Sequence, residues 1–376
     1  MAPEVKESMI VAWDKFGNPS GTHASARSAE ALFENARDEI ASELGISHQE
    51  VILTSGSTEA LTIAIWGQIL GAPTNRNKVL VSAIEHQAVL ETAKVACKVA
   101  KKKLVIIPVA GFSKSSQIGQ VDLEFVSENI GADVALIAVM AVNNETGIIQ
   151  PIEKVAELAR EFDVPFLCDS TQAVGKNEFF SMRDFSAMFT ISGHKIYGPK
   201  GSGALVINRE LQRRLISIAP GGGQERGIRG GTLNTASAMG LATALKFSMN
   251  DVQNEMLRQA KLRDKLLTGL MARFPDSLTS NSGMPNFCLK NTINLRFHSV
   301  PSDAVLASMT KVAASRASAC SAGIEEPSHV LLAMGLTSHE AEESMRFSLG
   351  RFTTPEEIDE AIEDVSVAVT RVRELS

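Results

Sequence analysis

Lys195 stands in Ser192-Gly193-His194-Lys195-Ile196-Tyr197-Gly198-Pro199, directly after the apolar run Ala187-Met188-Phe189-Thr190-Ile191. That places one lysine at a strand end, between a Ser/His pair and a Gly/Pro turn. A lysine held there suits Schiff-base formation with an aldehyde cofactor. A surface lysine ahead of a turn is the plainer alternative. A second segment favours the first reading. Phe166-Leu167-Cys168 is an apolar strand that ends in Asp169, followed by Ser170-Thr171-Gln172. Pyridoxal phosphate needs a carboxylate against its ring nitrogen to remain an electron sink.

Further groups fit the same chemistry. Ser55-Gly56-Ser57-Thr58-Glu59 lies at a strand-to-helix turn, where free backbone N–H groups and the helix dipole attract an anion. Ser57 and Thr58 add hydroxyls, although Ser/Thr before a helix is commonly a simple N-cap. His86 follows a strand and opens a helix, a position suited to stacking on a cofactor ring and to proton transfer. The stretch from Gly221 to Thr232, GGGQERGIRGGT, is too glycine-rich and charged for a plain connector. It is read as bringing Arg226, Arg229 and Thr232 to a phosphate or a subunit interface. Cys320 sits among small residues, Ser315-Arg316-Ala317-Ser318-Ala319-Cys320-Ser321-Ala322-Gly323, which makes it a candidate nucleophile on an exposed loop. Arg346 interrupts an apolar run and needs a partner, either a bidentate carboxylate or an internal salt bridge.

The elements that must position these groups are legible as patterns. Strand-like runs occupy Val51 to Thr54, Val79 to Ser82, Leu104 to Ile107, Val134 to Val139 and Pro165 to Cys168. Helical stretches lie between them at Thr58 to Ile69, Ala88 to Val99 and Ile152 to Phe162. Continuous apolar strands alternating with amphipathic helices predict an α/β fold, with a mostly parallel sheet covered on both faces. Such sheets bind ligands beyond their strand carboxyl ends. Thr54-Ser55-Gly56, Glu85-His86, Asn143-Asn144-Glu145 and Asp169 all fall there. A long helix from about Ala236 to Ala272 follows. After it come strands at Thr292 to Phe297 and Met345 to Ser348, with helices from Ser302 and Pro355. The expected organisation is a large domain over 1–245 and a smaller α+β domain over 246–376.

The bulk properties set limits. The chain has 376 residues, a net charge of −6, 44% hydrophobic and 21% charged residues. The acidic balance argues against direct nucleic-acid binding. No apolar run approaches a membrane span, and the N-terminus has no signal pattern. The four cysteines, Cys97, Cys168, Cys288 and Cys320, form no CxxC pair. This predicts a reducing, cytoplasmic setting, with neither a disulfide framework nor a metal site. Cys97 and Cys168 read as core.

Taken in order, the segments GNPS from Gly17, TSGSTEA, IEHQAVL, VNNETGIIQPI, DSTQAVGK, SGHKIYGPKGSGAL, GGGQERGIRGGTLN, ASAC, EPSHVLLAMGL and RFSLGRFTTPEEID cover nearly the whole chain. Together they resemble the NifS/IscS-like cysteine desulfurases, pyridoxal-phosphate enzymes of the class V aminotransferase group. The resemblance implies fold type I, with a seven-stranded sheet in the large domain. It implies that Lys195 forms the Schiff base and moves the Cα proton. Asp169 would pair with the ring nitrogen, Gln172 would contact the ring oxygen, and His86 would stack on the ring. Ser57, Thr58, Ser192 and His194 would hold the phosphate, with Thr232 reaching in from a second subunit of a homodimer. Asn144, counted with the cofactor contacts, and Arg346 would bind the substrate carboxylate. Cys320 would attack the sulfur of L-cysteine, leaving L-alanine and a persulfide for an acceptor or scaffold protein.

The chain departs from the family pattern at three places. The usual opening strand with Asp…Ala-Thr-Thr is not present ahead of Met1. Leu167 replaces a usual His, and Arg316-Ala317 replaces a usual Ser-Gly. Two rival readings go with the same motifs: another class V reaction such as transamination or selenocysteine lysis, and a non-catalytic scaffold. Cys320 on its loop favours desulfuration.

Overall fold

The computed structural model describes residues 1–112, 117–177, 187–283, 285–316 and 326–375. They form two compact units. The first comprises Met1–Ile107, Leu123–Ala141 and Pro151–Val252, and the second Pro108–Asp122, Val142–Gln150 and Gln253–Ser376. These limits differ from the expected 1–245 and 246–376 in two ways. The change of unit comes at Val252, and two internal segments belong with the C-terminal part.

In the first unit, α1 (Pro3–Trp13) and α2 (Ala24–Leu44) precede β1 (Val51–Thr54) and α3 (Ser57–Gly71). Then follow β2 (Lys78–Ser82), α4 (Gln87–Ala100), β3 (Lys103–Ile107), α5 (Leu123–Asn129), β4 (Val134–Ala138), α6 (Ile152–Glu161) and β5 (Phe166–Cys168). The unit ends with β6 (Ala187–Ser192), β7 (Gly203–Ile207), α7 (Arg209–Arg214) and α8 (Thr235–Met249). Seven strands of the described residues make one sheet in the order β1-β7-β6-β5-β4-β2-β3. The run from β6 to β3 is parallel, whereas β7 is antiparallel to both β6 and β1. β1, β4, β5 and β7 are buried along their whole length. Helices on both faces therefore cover them, as continuous Val/Ile/Leu runs require. Ile52, Ile63, Val79, Val81, Leu136 and Leu205 belong to the same apolar cluster as Ala93 and Ala96 of α4.

The long helix expected from 236 to 272 is two helices. α8 ends at Met249 with Asn250 extended, and Asp251 takes a left-handed conformation at φ 57°. Asn and Asp adopt such backbones more readily than most residues, and this pair breaks the helix. α9 (Val252–Arg273) begins immediately after.

The second unit continues with β8 (Leu278–Ser280), β9 (Thr292–Phe297), α10 (Ser302–Ser308), β10 (Ser315–Arg316), α11 (His329–Ala333), α12 (Ser338–Glu342), β11 (Ser344–Ser348) and α13 (Pro355–Leu375). Its sheet runs β10-β11-β9-β8, antiparallel throughout. Leu262, Leu266 and Leu270 of α9 pack with Leu295, Phe297, Met345, Phe347 and Val365 in its core. Arg346 is half-buried in β11, opposite Asn294 of β9.

Candidate active site

In the first unit the predicted residues gather at the strand carboxyl ends. Asp169 follows β5 and is buried. Its Oδ1 accepts two hydrogen bonds, from Thr190 Oγ1 on β6 at 3.0 Å and from Thr171 N at 3.0 Å. That turns Oδ2 into the oxygen left for a ligand. Lys195 closes the short turn after β6, exposed, two residues beyond the buried Gly193. Tyr197, just beyond, holds φ at 67°, so the chain bends sharply after the lysine.

His86 caps α4. Its Nδ1 accepts from Ala88 N at 3.1 Å, so the neutral ring carries its proton on Nε2. Burial makes the ring less basic, the charge of Asp169 opposes this, and Lys195 lowers it further. Asp169 and Lys195 thus both act on the His86 ring electrostatically. The ring is a neutral Nε2–H donor. The proton transfer expected of it would require the cap at Nδ1 to be given up.

Ser192 and His194 also come together, Ser192 Oγ lying 2.9 Å from His194 Nδ1. Burial first, then Lys195, Lys176 and Lys200, keep His194 less basic than usual. Ser192 pairs with Gly203, and Gly203 pairs with Thr54. This row brings the Ser55-Gly56 turn and the first residues of α3 to the same sheet end. The approach is tight. A Cβ on Gly203 would lie 2.5 Å from Gly56 Cα. Beyond Gly56, Ser57 and the exposed Thr58 open α3.

The glycine-rich segment is pinned against this turn. Arg37 and Glu225, both buried, form a two-point ion pair at 2.7 and 3.0 Å. Leu53 N donates to Glu225 Oε2 at 2.7 Å. Arg226 donates to Val51 O and His48 O, and Arg229 to Glu59. Glu59 in turn accepts from Ser55 N. Burial opposes ionisation of Glu59, but the bonds from Arg229 and Ser55 hold its carboxyl below the usual range. Arg226 and Arg229, expected at a phosphate or an interface, fasten their own loop within this chain. Thr232 remains exposed. Together with Thr54, Ser55, Gly203 and Arg229 it lines a cavity of about 210 Å³.

Two buried acids were not singled out from the sequence. Glu85, 1% exposed, accepts from Met140 N at 2.6 Å. Burial, aided by the charge of Asp169, pushes its carboxyl up to about 8. Glu145 belongs to the second unit. There Arg346 Nη1 donates to Asn144 O at 2.8 Å, which brings the two expected carboxylate-binding residues together. Glu145 accepts from the Ser328 hydroxyl, and burial pushes it up to about 7. Only position in the chain, after a strand-like run, marked either acid in the sequence. Cys320 lies outside the described residues. Cys97, Cys168 and Cys288 are all buried and free, and burial raises each thiol above its usual range.

The donor set of the first unit fits pyridoxal phosphate. An aldehyde needs the Lys195 amine, a pyridine nitrogen the Asp169 carboxylate, and a phosphate the helix start with Ser57, Thr58, Ser192 and His194. Gln172 Oε1 is taken by Lys176 Nζ at 2.6 Å, so its amide nitrogen is the end available to a ring oxygen. Thr171 Oγ1, two residues beyond Asp169, is shielded and has no hydrogen-bond partner among the described residues, which suits it to a bound group. No cluster of His, Cys, Asp or Glu among the described residues has the form of a metal site.

Comparison with known proteins agrees with this geometry. The family model for aminotransferase class-V matches residues 4–361. A cysteine desulfurase of Frankia sp. (strain EuIK1) is 41% identical over 380 residues, covering 100% of this chain and 90% of that protein. Among solved structures, a NifS-like protein superposes with a TM-score of 0.89 at 29% identity, over 99% of this chain and 96% of that one. SspA in complex with cysteine superposes with a TM-score of 0.79 at 32% identity, over 94% and 97%. This chain belongs to the class-V aminotransferase family, as one of its pyridoxal-phosphate-dependent, NifS/IscS-like cysteine desulfurases.

Proposed function

We propose that the enzyme takes sulfur from L-cysteine, releases L-alanine, and carries the sulfur away as a persulfide on Cys320. When bound, pyridoxal phosphate supplies the electron sink that this chemistry needs. Lys195 holds it through Nζ and moves the substrate Cα proton. Asp169 Oδ2 takes the ring nitrogen, the Gln172 amide the ring oxygen, and His86 stacks on the ring with its Nε2–H as donor. Ser57, Thr58, Ser192 and His194 hold the phosphate. Arg346 and Asn144 take the substrate carboxylate, and Asn144 also reaches the cofactor. The Cys320 thiolate attacks the substrate sulfur. The S–S bond forms as the C–S bond breaks, and the electron pair of that bond stays with the substrate carbon, which takes up a proton to leave as L-alanine.

The observation that carries this reading is the gathering of Asp169, Lys195 and His86 at one sheet end, where Asp169 and Lys195 both act on the His86 ring. The buried bond network on Asp169 supports it. Lys195→Ala tests it. The purified variant is expected to lose the visible absorbance of the lysine-bound cofactor and all sulfide release. Normal turnover would overturn the assignment.

Thr232 is proposed to serve the phosphate of a second copy, which makes the enzyme a homodimer. Its exposure at the end of a pinned loop supports this. The sulfur is proposed to pass to acceptor or scaffold proteins for iron–sulfur cluster assembly or thiolation. No helix among the described residues is long and apolar enough to cross a membrane. The free thiols of Cys97, Cys168 and Cys288 are consistent with a reducing cytoplasm.

A further inference from the structure

Asn294 of β9 is a polar side chain with no exposed surface. Burying an amide is costly unless both of its ends are paired, and here both are. Its Nδ2 donates to Glu145 O at 3.2 Å, and its Oδ1 accepts from Asn281 Nδ2 at 2.8 Å. Asn281 is itself buried, and its Nδ2 also donates to Ser344 Oγ at 2.9 Å. The Ser344 hydroxyl in turn donates to Glu340 O at 2.8 Å. Asn281 thus presents its nitrogen to Asn294, and Asn294 must turn its own nitrogen toward Glu145.

The receiver of this relay is the turn at Asn143-Asn144-Glu145-Thr146. Asn143 Oδ1 accepts from Glu145 N at 2.9 Å and from Thr146 N at 2.9 Å, which closes the turn on itself. Asn294 fastens the turn to β9 twice. Besides the bond to Glu145 O, Asn294 N donates to Ser282 Oγ at 3.0 Å, and that hydroxyl donates to Thr146 O at 2.6 Å. Arg346 lies directly opposite Asn294 in the β9–β11 pair, so the two side chains leave the same face of the sheet. Arg346 Nη1 donates to Asn144 O at 2.8 Å. Two cross-strand neighbours therefore grip two successive carbonyls, those of Asn144 and Glu145. An arginine has a long stem with many rotamers, and a fixed acceptor decides where its guanidinium points. Asn144 O is such an acceptor, and Asn294 holds the peptide next to it.

We propose that Asn294 is a positioning residue for the substrate carboxylate that acts through Arg346. It fixes the turn whose Asn144 carbonyl aims the guanidinium, and so governs KM rather than kcat. The inference rests on the reading of Arg346 as the substrate carboxylate site.

The test compares wild type, Asn294→Leu, Ser282→Ala, Arg346→Ala and the double variant of Asn294→Leu with Arg346→Ala, all as holoenzymes. Three quantities are read: KM and kcat for L-cysteine, the visible absorbance of the bound cofactor, and calorimetric binding of 3-mercaptopropionate, which has the carboxylate and thiol but no amine. Leucine roughly keeps the volume of Asn294 and removes the amide donor to Glu145 O. KM and the Kd of 3-mercaptopropionate are expected to rise about tenfold in Asn294→Leu and about threefold in Ser282→Ala, with kcat and absorbance as in wild type. Where Arg346 is already alanine, Asn294→Leu is expected to add less than about twofold. A wild-type KM in Arg346→Ala would remove the carboxylate reading, and this inference with it. With Arg346→Ala weak, the inference alone fails if Asn294→Leu keeps the wild-type KM, if its effect persists in full without Arg346, or if kcat and absorbance change along with KM. If Asn294→Leu does not fold, Ser282→Ala decides by the same readings, since it loosens the same turn and leaves Asn294 in place. An unchanged KM there overturns the proposal.

Discussion

Thr190 Oγ1 donates to Asp169 Oδ1 at 3.0 Å, across the parallel pair of β6 and β5. Both residues are buried. The bond fixes the rotation of the carboxylate and leaves Oδ2 for the cofactor ring. Thr190→Val preserves shape and removes the hydroxyl. A lost hydrogen bond to a charged group is worth about 1.5–3 kcal/mol. Cofactor affinity should therefore fall by about tenfold or more, as read by a spectrophotometric titration of the cofactor-free protein, with the fold unchanged by circular dichroism. Unaltered affinity would show that the Asp169 rotamer is set by Thr171 N alone.

The Arg37–Glu225 pair joins α2 to the glycine-rich segment 188 residues away. Arg37 also donates to Val51 O, and Glu225 also accepts from Leu53 N. Removing one partner leaves an uncompensated buried charge, which costs about 3–5 kcal/mol. Arg37→Ala should lower the denaturation midpoint strongly, and Arg37→Met together with Glu225→Leu should recover much of the loss. Urea titrations of the three proteins decide this. A double variant as unstable as the single would locate the effect in the lost backbone bonds rather than in the charge.

Glu85 makes stability depend on pH. Burial pushes its folded-state pKa up to about 8, above the ordinary 4.5 of an exposed Glu. The folded protein therefore keeps a proton that the unfolded chain loses. Its contribution is fully present below about 4.5 and is lost as pH rises toward 8. Each tenfold in the ionisation constant is about 1.4 kcal/mol. Glu85→Gln should flatten the decline in stability between pH 5 and 8. Denaturant midpoints measured across that range for both proteins provide the check. Parallel curves would mean that Glu85 ionises freely in the fold.

Much of this architecture is legible in the sequence because burial on both faces makes strands continuous. Val51 to Thr54 is found as expected, and the run expected from Val134 to Val139 is β4, which ends one residue earlier at Ala138. β7 was not expected, although Gly201-Ser202 before it and Asn208 after it are turn and cap residues that mark off Gly203 to Ile207. The helix break at Asn250-Asp251 depends on one left-handed residue, which a hydrophobic pattern does not record. Lys195, Asp169 and His86 were visible as chemistry at strand ends. The uses of Arg226 and Arg229 were not, because their partners, His48, Val51 and Glu59, are some 170 residues away. Glu85 and Glu145 acquire their character chiefly from burial, aided for Glu85 by Asp169, which only the folded chain supplies.

The central claim is that sulfur leaves cysteine through one particular thiol. Cys97, Cys168 and Cys288 are buried, with thiols that burial makes hard to ionise. Cys320 is the remaining cysteine of the chain. Holoenzyme treated briefly with L-cysteine, alkylated, digested and examined by mass spectrometry should carry one added sulfur on the peptide containing Cys320, and Cys320→Ser should carry none. Added sulfur on the Cys288 peptide, or normal sulfide release by Cys320→Ser, would contradict the account.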